Sequence, residues 1–500
     1  MKRPIALVAV LCGLGLNSCA APSPFVGIFE SLAPCRDKYA EIDAQVEAAG
    51  ARSSIYYPVK GFPYFRMDRL HSSYRDADLS PDELGAWTRH MRDYDQQARE
   101  IEFINMGMPL RERANTLEYL QACGRGLAQI ELEDPKMLAK LRKAMAAPHE
   151  YDDAARRKGL AAADAAAIRE QLSAQRAALK PLDPQALATT GMRRWVVKPV
   201  ADAGGLAKGL DFAPPDELGF QSLSDMAWKA LAEQLAPQVW IENASERDAL
   251  GMPAFSGDTL GVDSSHPAMS YWIGFTRFGD LSLGQITYVL WFPGTGPSGN
   301  GPLDSLVWRI TLDRAGTPLV YESVHGSGRE HRWYPAQPLT VRPDLGPDHD
   351  PPVVAASVLS EGPVALVLEG GSHAVKGVVP VASVPSGPAS PFELERYEDL
   401  YVLGWSTQTD ARGRSLFDGQ GRIVGTRHPD PLWRKGSGLD EQGPLRQLGR
   451  QPTGYLAPAH LDDARVLENV FVPPPSVPKT LDNAHAEPVP FEPAVDRTHR

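Results

Sequence analysis

The chain has 500 residues, of which 23% are charged and 43% are hydrophobic, a composition typical of a folded globular protein and not of a disordered one. The net charge of −11 and the pI of about 5.6 argue against a nucleic-acid partner held by phosphate contacts. Beyond the N-terminus, no long uncharged apolar run predicts a membrane-spanning helix.

The first 18 residues have the pattern of a secretory signal. Lys2 and Arg3 form a cationic start, and residues 4–16 are apolar or small. This apolar run is too short to span a bilayer but has the length of a signal-peptide core. The sequence therefore predicts that residues 1–18 are removed during export.

The signal runs directly into Leu16-Asn17-Ser18-Cys19. This stretch resembles the lipobox of bacterial lipoproteins, in which the cysteine becomes the lipidated N-terminus. The resemblance implies that acyl chains on Cys19 anchor the mature protein to a membrane. Ala20, standing where an Asp would cause retention, implies the outer membrane, with the protein facing the periplasm. The alternative is an ordinary cleaved signal, which would release a soluble periplasmic or secreted protein.

The cysteine count favours an oxidising compartment. Cys12 lies in the signal and Cys19 would carry lipid, which leaves Cys35 and Cys123 as a pair. We expect these two to form a disulfide, since exported proteins meet oxidising conditions. Two buried free thiols are the alternative.

Residues 19–34 are predicted to be a tether and residues 35–190 an antiparallel helical domain. Ser80, Pro81 and Glu83 form a capping box with proline at the first helical position. Asp134 and Pro135 mark another helix start. One stripe of apolar residues at helical spacing follows the capping box: Leu84, Trp87, Met91, Tyr94, Ala98 and Ile101. We interpret this stripe as a core face.

Residues 191–472 are predicted to be mainly β, with one helix near 222–235. Short β-rich runs separated by turn residues predict strands and an antiparallel sheet, either a sandwich or a partial barrel. The expected strands cover 281–292, 306–312, 319–324, 364–369 and 396–405. The predicted fold class is therefore α+β. The proline-rich residues 473–500 are predicted to be a disordered tail.

Histidines beside glycine-rich turns are the main candidates for chemistry. His325 and His331 flank such a turn, and His373 follows another. Strand alternation would place Glu322 and His325 on opposite faces, so Glu330 is the better carboxylate candidate. The three histidines and Glu330 would supply a zinc-like ligand set with an open position for water. The spacing matches no specific zinc signature.

Two further candidates lie in the same region. Ser327 is close to His325 and would need an acid to complete a nucleophilic triad. The strands 306–312 and 319–324 are predicted to form a hairpin through a turn at Asp313–Gly316. Trp291, Trp308 and Trp333 flank this hairpin and would form a stacking surface for a sugar or aromatic ligand, or else belong to the core.

The sequence thus predicts an exported, lipid-anchored envelope protein that acts as a binding or structural module, with a protein or glycan partner in the envelope. The alternative is a secreted metal-dependent hydrolase built on His325, His331 and His373. The sequence specifies neither a substrate nor an oligomeric state, and it leaves open whether the protein is an enzyme.

Overall fold

A computed structural model describes residues 32–475, except for residues 150, 189–190, 199–213, 243, 297–299, 344, 347, 357–358, 360–361, 407–410, 428–429 and 440–443. The predicted signal, Cys19, nearly all of the tether and residues 476–500 lie outside the described residues. None of the described helices combines the length and apolar character needed to cross a bilayer.

Long helices dominate the first part of the described chain. In chain order the helices are α1 (Ala33–Ala48), α2 (Arg69–Ser72), α3 (Pro81–Met106), α4 (Leu110–Glu131), α5 (Pro135–Ala144), α6 (Asp153–Gly159), α7 (Ala162–Ala178), α8 (Asp225–Leu235) and α9 (Pro431–Ser437).

Most strands follow residue 190. They are β1 (Tyr57–Pro58), β2 (Arg66–Met67), β3 (Arg193–Val197), β4 (Gln238–Glu242), β5 (Met252–Ser256), β6 (Thr259–Asp263), β7 (Ala268–Phe278), β8 (Leu281–Gly296), β9 (Gly301–Leu312), β10 (Pro318–His325), β11 (Arg332–Pro335), β12 (Val353–Val354), β13 (Val364–Glu369), β14 (Val375–Pro380) and β15 (Ser390–Arg396).

The strands form one large mixed sheet. Its order is β12-β11-β10-β9-β8-β7-β15-β3-β4-β13-β14, and the pairs β1-β2 and β5-β6 stand apart. Helices beside a large sheet agree with the predicted α+β class. The predicted sheet was mainly antiparallel, whereas the observed sheet is mixed, because β15 pairs in parallel with both of its neighbours.

Strand β15 joins the two halves of this sheet. Its first residues, Ser390–Phe392, pair with β3, and its last residues, Glu393–Arg396, pair with β7. The strand predicted over 396–405 is wrong. Residues 397–401 form a 3-10 helix instead, because Tyr397, Leu400 and Tyr401 are all buried and their spacing places them on one helical face.

Helix α3 follows its sequence signals closely. The Ser80 hydroxyl accepts from the Glu83 amide, and the Glu83 carboxylate accepts from the Ser80 amide, which completes the predicted capping box. Gly107 ends the helix with φ of 76°, a conformation that favours glycine. Trp87 and Met91 are fully buried in a core shared with α1 and α4. The predicted apolar stripe is therefore a core face.

The predicted disulfide between Cys35 and Cys123 is confirmed. Their sulfur atoms are 2.01 Å apart, and both residues are fully buried. The bond joins α1 to α4 across a sequence separation of 88 residues. It therefore restricts the unfolded chain over much of the helical region.

We expect the double variant Cys35→Ser/Cys123→Ser to lose about 2–5 kcal/mol of unfolding free energy, because a long loop is no longer closed in the unfolded state. Denaturant unfolding of the oxidised proteins measures this. Reductant should destabilise the wild type and leave the double variant unchanged. Equal midpoints for the oxidised wild type and the double variant would contradict the expectation.

Candidate functional site

A buried carboxylate, Asp304 on β9, joins two of the predicted histidines. Its Oδ1 lies 2.7 Å from His325 Nε2, and its Oδ2 lies 2.9 Å from His373 Nδ1. His325 ends β10, whereas His373 lies in the turn between β13 and β14. The sheet therefore brings together residues that are far apart in sequence. We call Asp304, His325 and His373, with their partners Ser327 and Asp248, the Asp304 cluster.

Hydrogen bonds fix the protonation of His325. Its Nδ1 lies 3.1 Å from the Ser327 amide nitrogen, which donates, so Nδ1 carries a lone pair. The Ser327 hydroxyl also donates to Nδ1, at 2.7 Å, and Nε2–H donates to Asp304. This arrangement has the Ser-His-Asp order of a nucleophilic triad, and Asp304 is the acid that the sequence analysis did not identify.

The position of Ser327 prevents it from acting as a nucleophile in this structure. The residue is fully buried. A Cβ on the following Gly328 would lie 2.0 Å from the Pro452 carbonyl oxygen, so the turn is packed tightly against its neighbours. The nearest cavity, lined by His325 and His373, has a volume of about 10 Å³, which is room for about one water molecule. No substrate carbonyl fits beside the hydroxyl.

The second histidine of the cluster is held on several sides. The ring of His373 stacks on Phe292 with 3.8 Å between centroids, and its Nε2 lies 3.2 Å from Asp248 Oδ1. Its φ of 53° is in the left-handed region. The Gly371 amide donates to Asp248 at 2.6 Å and anchors the same turn. The cluster thus fastens this turn to the sheet.

The charges of the cluster act mainly on Asp304. Burial raises the pKa of Asp304, but the charge and hydrogen bonds of His325 and those of His373 lower it much further, so it lies far below its usual range. Asp304 is therefore ionised at neutral pH and accepts from both imidazoles.

The other two predicted metal ligands point elsewhere. His331 Nε2 lies 2.7 Å from Glu322 Oε2, and Glu330 pairs with Arg332 at 3.0 Å. Glu322, not Glu330, is thus the carboxylate next to a predicted histidine. His325 and His373 thus share Asp304, whereas His331 and Glu330 contact other partners. No group of three or more His, Cys, Asp or Glu side chains in the described chain has an arrangement suited to a metal ion.

The three tryptophans do not form a common stacking surface. Trp291, Trp308 and Trp333 are at most 3% exposed and belong to three different core clusters. Trp308 stacks on Tyr321 at 5.5 Å. Trp333 borders, together with His331, a cavity of about 90 Å³. The strands that carry the three tryptophans are covered by other residues, so their indole rings belong to the core.

A different cavity lies between the helical region and the sheet. It is lined by residues 55–57 and Asp68 on one side and by β7, β8 and β9 on another, and the segments 447–450 and 461–463 close it. Its volume is about 100 Å³, which is room for several water molecules. We call it the interdomain cavity.

Buried polar atoms without a hydrogen-bond partner lie on residues that line this cavity. They are Arg309 Nη2, Gln447 Oε1, Arg450 Nε and Asp462 Oδ1. Other atoms of the two arginine side chains do have partners. Arg309 pairs with Glu322 and donates to the Leu461 carbonyl at 2.8 Å, while Arg450 donates to the Ser54 carbonyl at 2.6 Å. Buried polar groups are usually satisfied, so these exceptions point to this cavity.

The acidic residues of the lining are individually compensated. Burial raises the pKa of Asp462 to about 7, although Arg69 Nε is only 2.8 Å from its Oδ1. Burial also raises the pKa of Asp463, but the hydrogen bond and charge of His460 lower it below its usual range. Asp68 accepts from His71. The lining therefore carries little unbalanced negative charge.

No local pattern in the sequence marked this cavity. Its charged residues come from positions as distant as Asp68, Arg309 and Asp462, which belong to no common sequence motif. Comparison with protein-family models, with curated protein sequences and with solved structures finds no match to this chain.

We expect Asp304→Asn to lower the unfolding free energy at pH 7 by about 3 kcal/mol, because two imidazoles lose their ionised acceptor. The pKa of Asp304 is lower in the folded than in the unfolded protein, so this stabilisation is present above about pH 4 and is lost as the pH falls. The difference between wild type and variant should therefore shrink in acid. Thermal unfolding across pH measures it.

A matched control is Asp280→Asn, in the exposed turn between β7 and β8. It should leave the unfolding free energy unchanged to within about 0.5 kcal/mol. If Asp304→Asn is as stable as this control at pH 7, the Asp304 cluster does not stabilise the fold.

Proposed function

We propose that this is an exported, lipid-anchored envelope protein that binds a small organic carboxylate in the interdomain cavity. The lipobox-like residues around Cys19 and the disulfide between Cys35 and Cys123 support the proposed location. A helical domain over 35–190 and a β domain over 191–472 remain part of this proposal, with the cavity between them.

Arg450 is the observation that carries the proposed ligand class. Its side chain is buried, with the residue 7% exposed, and no carboxylate of the described residues forms an ion pair with it. Arg309, by contrast, pairs with Glu322. A buried charge without a counter-ion is costly, so a guanidinium in this state favours an anionic ligand.

The aromatic residues of the cavity suit a ligand with a flat apolar part. The Arg450 guanidinium lies over the Tyr57 ring at 4.3 Å. Tyr56 stacks on Tyr94 at 3.9 Å, and Trp272 packs edge-on against Tyr397. Aromatic walls with a few polar groups are typical of small-molecule sites. The cavity volume of about 100 Å³ limits the ligand to about one ring.

The ligand class is tested with matched pairs of probes, glucuronate against glucose and benzoate against benzyl alcohol, by titration calorimetry. A carboxylate that bonds to a buried guanidinium should bind at least about tenfold more tightly than its neutral counterpart. Arg450→Gln should remove this preference, because the charge is lost while hydrogen-bonding groups remain.

Arg414→Gln is the control, since Arg414 is an exposed arginine that pairs with Asp258 and does not line the cavity. It should retain the preference for the carboxylate. Equal binding of both members of each pair, or an unchanged preference in Arg450→Gln, would refute the proposed ligand class.

Lipidation is tested by feeding cells labelled palmitate and by mass spectrometry of the mature N-terminus. Label should enter the wild type and Cys12→Ala and should be absent from Cys19→Ala, because the resemblance places the acyl chains on Cys19. Incorporation into Cys19→Ala, or a mature N-terminus at another residue, would contradict the proposed anchor and leave the ligand proposal intact.

A further inference from the structure

Four side chains form a continuous chain from the protein surface to the interdomain cavity. His71 Nδ1 lies 2.8 Å from Asp68 Oδ1, and His71 Nε2 lies 3.2 Å from His90 Nδ1. His90 Nε2 lies 2.8 Å from Asp216 Oδ2. Asp68 lines the cavity and its side chain is 28% exposed, and the Asp216 side chain is 16% exposed. We call this arrangement the Asp-His-His-Asp chain.

The contacts of this chain require more protons than two neutral imidazoles carry. An ionised carboxylate only accepts, so each end contact needs an imidazole N–H. The central contact joins two ring nitrogens and needs one N–H facing one lone pair. The three contacts therefore need three nitrogen protons, whereas two neutral rings supply two. A neutral pair leaves one contact without its proton.

Both end carboxylates are held in the ionised form. Burial raises the pKa of Asp68, but the charge and hydrogen bonds of His71, with the hydroxyl of Tyr94, lower it below its usual range. Burial also raises the pKa of Asp216, but the His90 hydrogen bond and two backbone amides lower it below its usual range. Asp68 and Asp216 therefore both accept hydrogen bonds from the imidazoles.

The two imidazoles are enclosed mainly by aromatic rings. Phe220 stacks on His90 at 5.2 Å with an interplanar angle of 17°, and Tyr94 packs edge-on against His71 at 4.8 Å. The His71 side chain is 1% exposed. The charged and titratable groups around the pair, from α2, from α3, from the segment 214–220 and from β7, are Asp68, Arg69, Tyr74, Arg89, Asp93, Tyr94, Asp216, Glu217 and Arg277.

None of these neighbouring groups supplies the third N–H that a neutral pair of imidazoles lacks. Arg69 is paired with Asp462, and Arg89 is paired with Glu217 at 3.0 Å. Asp93 adds a further carboxylate near His90. The immediate surroundings of the two rings thus favour a positive charge on the pair.

We infer that His71 and His90 share one extra proton, so that the pair carries a single positive charge between Asp68 and Asp216. The same three protons satisfy every contact when one of them lies on Asp68 or on Asp216 instead. The site can therefore exchange its proton through Asp68 at the cavity or through Asp216 at the other end. This inference goes beyond the proposed ligand and does not depend on it.

The shared proton is tested by the pH dependence of unfolding of the full-length protein between about pH 6.5 and 8.5. Histidine in the unfolded chain is about half neutral at the lower limit of this range and almost fully neutral at the upper limit, so the effect is largest near pH 8. A native state that holds one extra proton loses stability as the pH rises, and its unfolding equilibrium constant increases up to about tenfold per pH unit. His90→Gln should reduce this slope by about one proton, because an amide supplies a donor to each neighbour without charge.

The control is His149→Gln, in which an exposed imidazole that makes none of the contacts of the Asp-His-His-Asp chain is replaced. It should keep the wild-type slope. If His90→Gln also keeps the wild-type slope, the shared proton is refuted.

A second measurement does not depend on the stability of a core variant. Nitrogen-15 shifts of labelled histidine side chains at pH 7 should show three protonated nitrogens on His71 and His90 together. Asp216→Asn, at the partly exposed end, should lower the pH at which the third proton is lost. Two protonated nitrogens in the wild type, or an unchanged pH in Asp216→Asn, overturns the inference.

Discussion

Buried guanidinium groups hold the helical region and the sheet against the C-terminal segment. Arg309 on β9 donates to the Leu461 carbonyl, Arg450 donates to the Ser54 carbonyl, and Arg69 pairs with Asp462. Residues 450–463 therefore contact both the helical region and the sheet. The interdomain cavity and its polar lining exist only while these contacts are made.

Local signals in the sequence were sufficient to predict several elements of secondary structure. The capping box predicted the start of α3, and the turn at Asp313–Gly316 predicted the hairpin of β9 and β10. In that turn the Asp313 carboxylate accepts from the backbone amides of Ala315 and Thr317. The parallel pairings of β15 had no such signal, since they join positions far apart in the chain.

The candidate site could likewise be predicted only in part from local sequence patterns. Strand alternation correctly separated Glu322 from His325, and for that reason His325 and His331 end in different contacts. It could not show that Glu322 would meet His331, because the turn between β10 and β11 decides this and Glu330 adopts a positive φ of 58° there. No local sequence pattern identified Asp304 or Arg450 as functional candidates. Their importance comes from what is buried around them.

The place of β15 in the sheet has a consequence for how the protein folds. In the described chain this strand is the link between β3 and β7, yet it is translated after both. The sheet therefore stays in two parts, each with an unpaired edge, until residues 390–396 have been synthesised. Pairings over such sequence distances form slowly. We expect nascent chains that end before β15 to expose these edges and to be prone to aggregation.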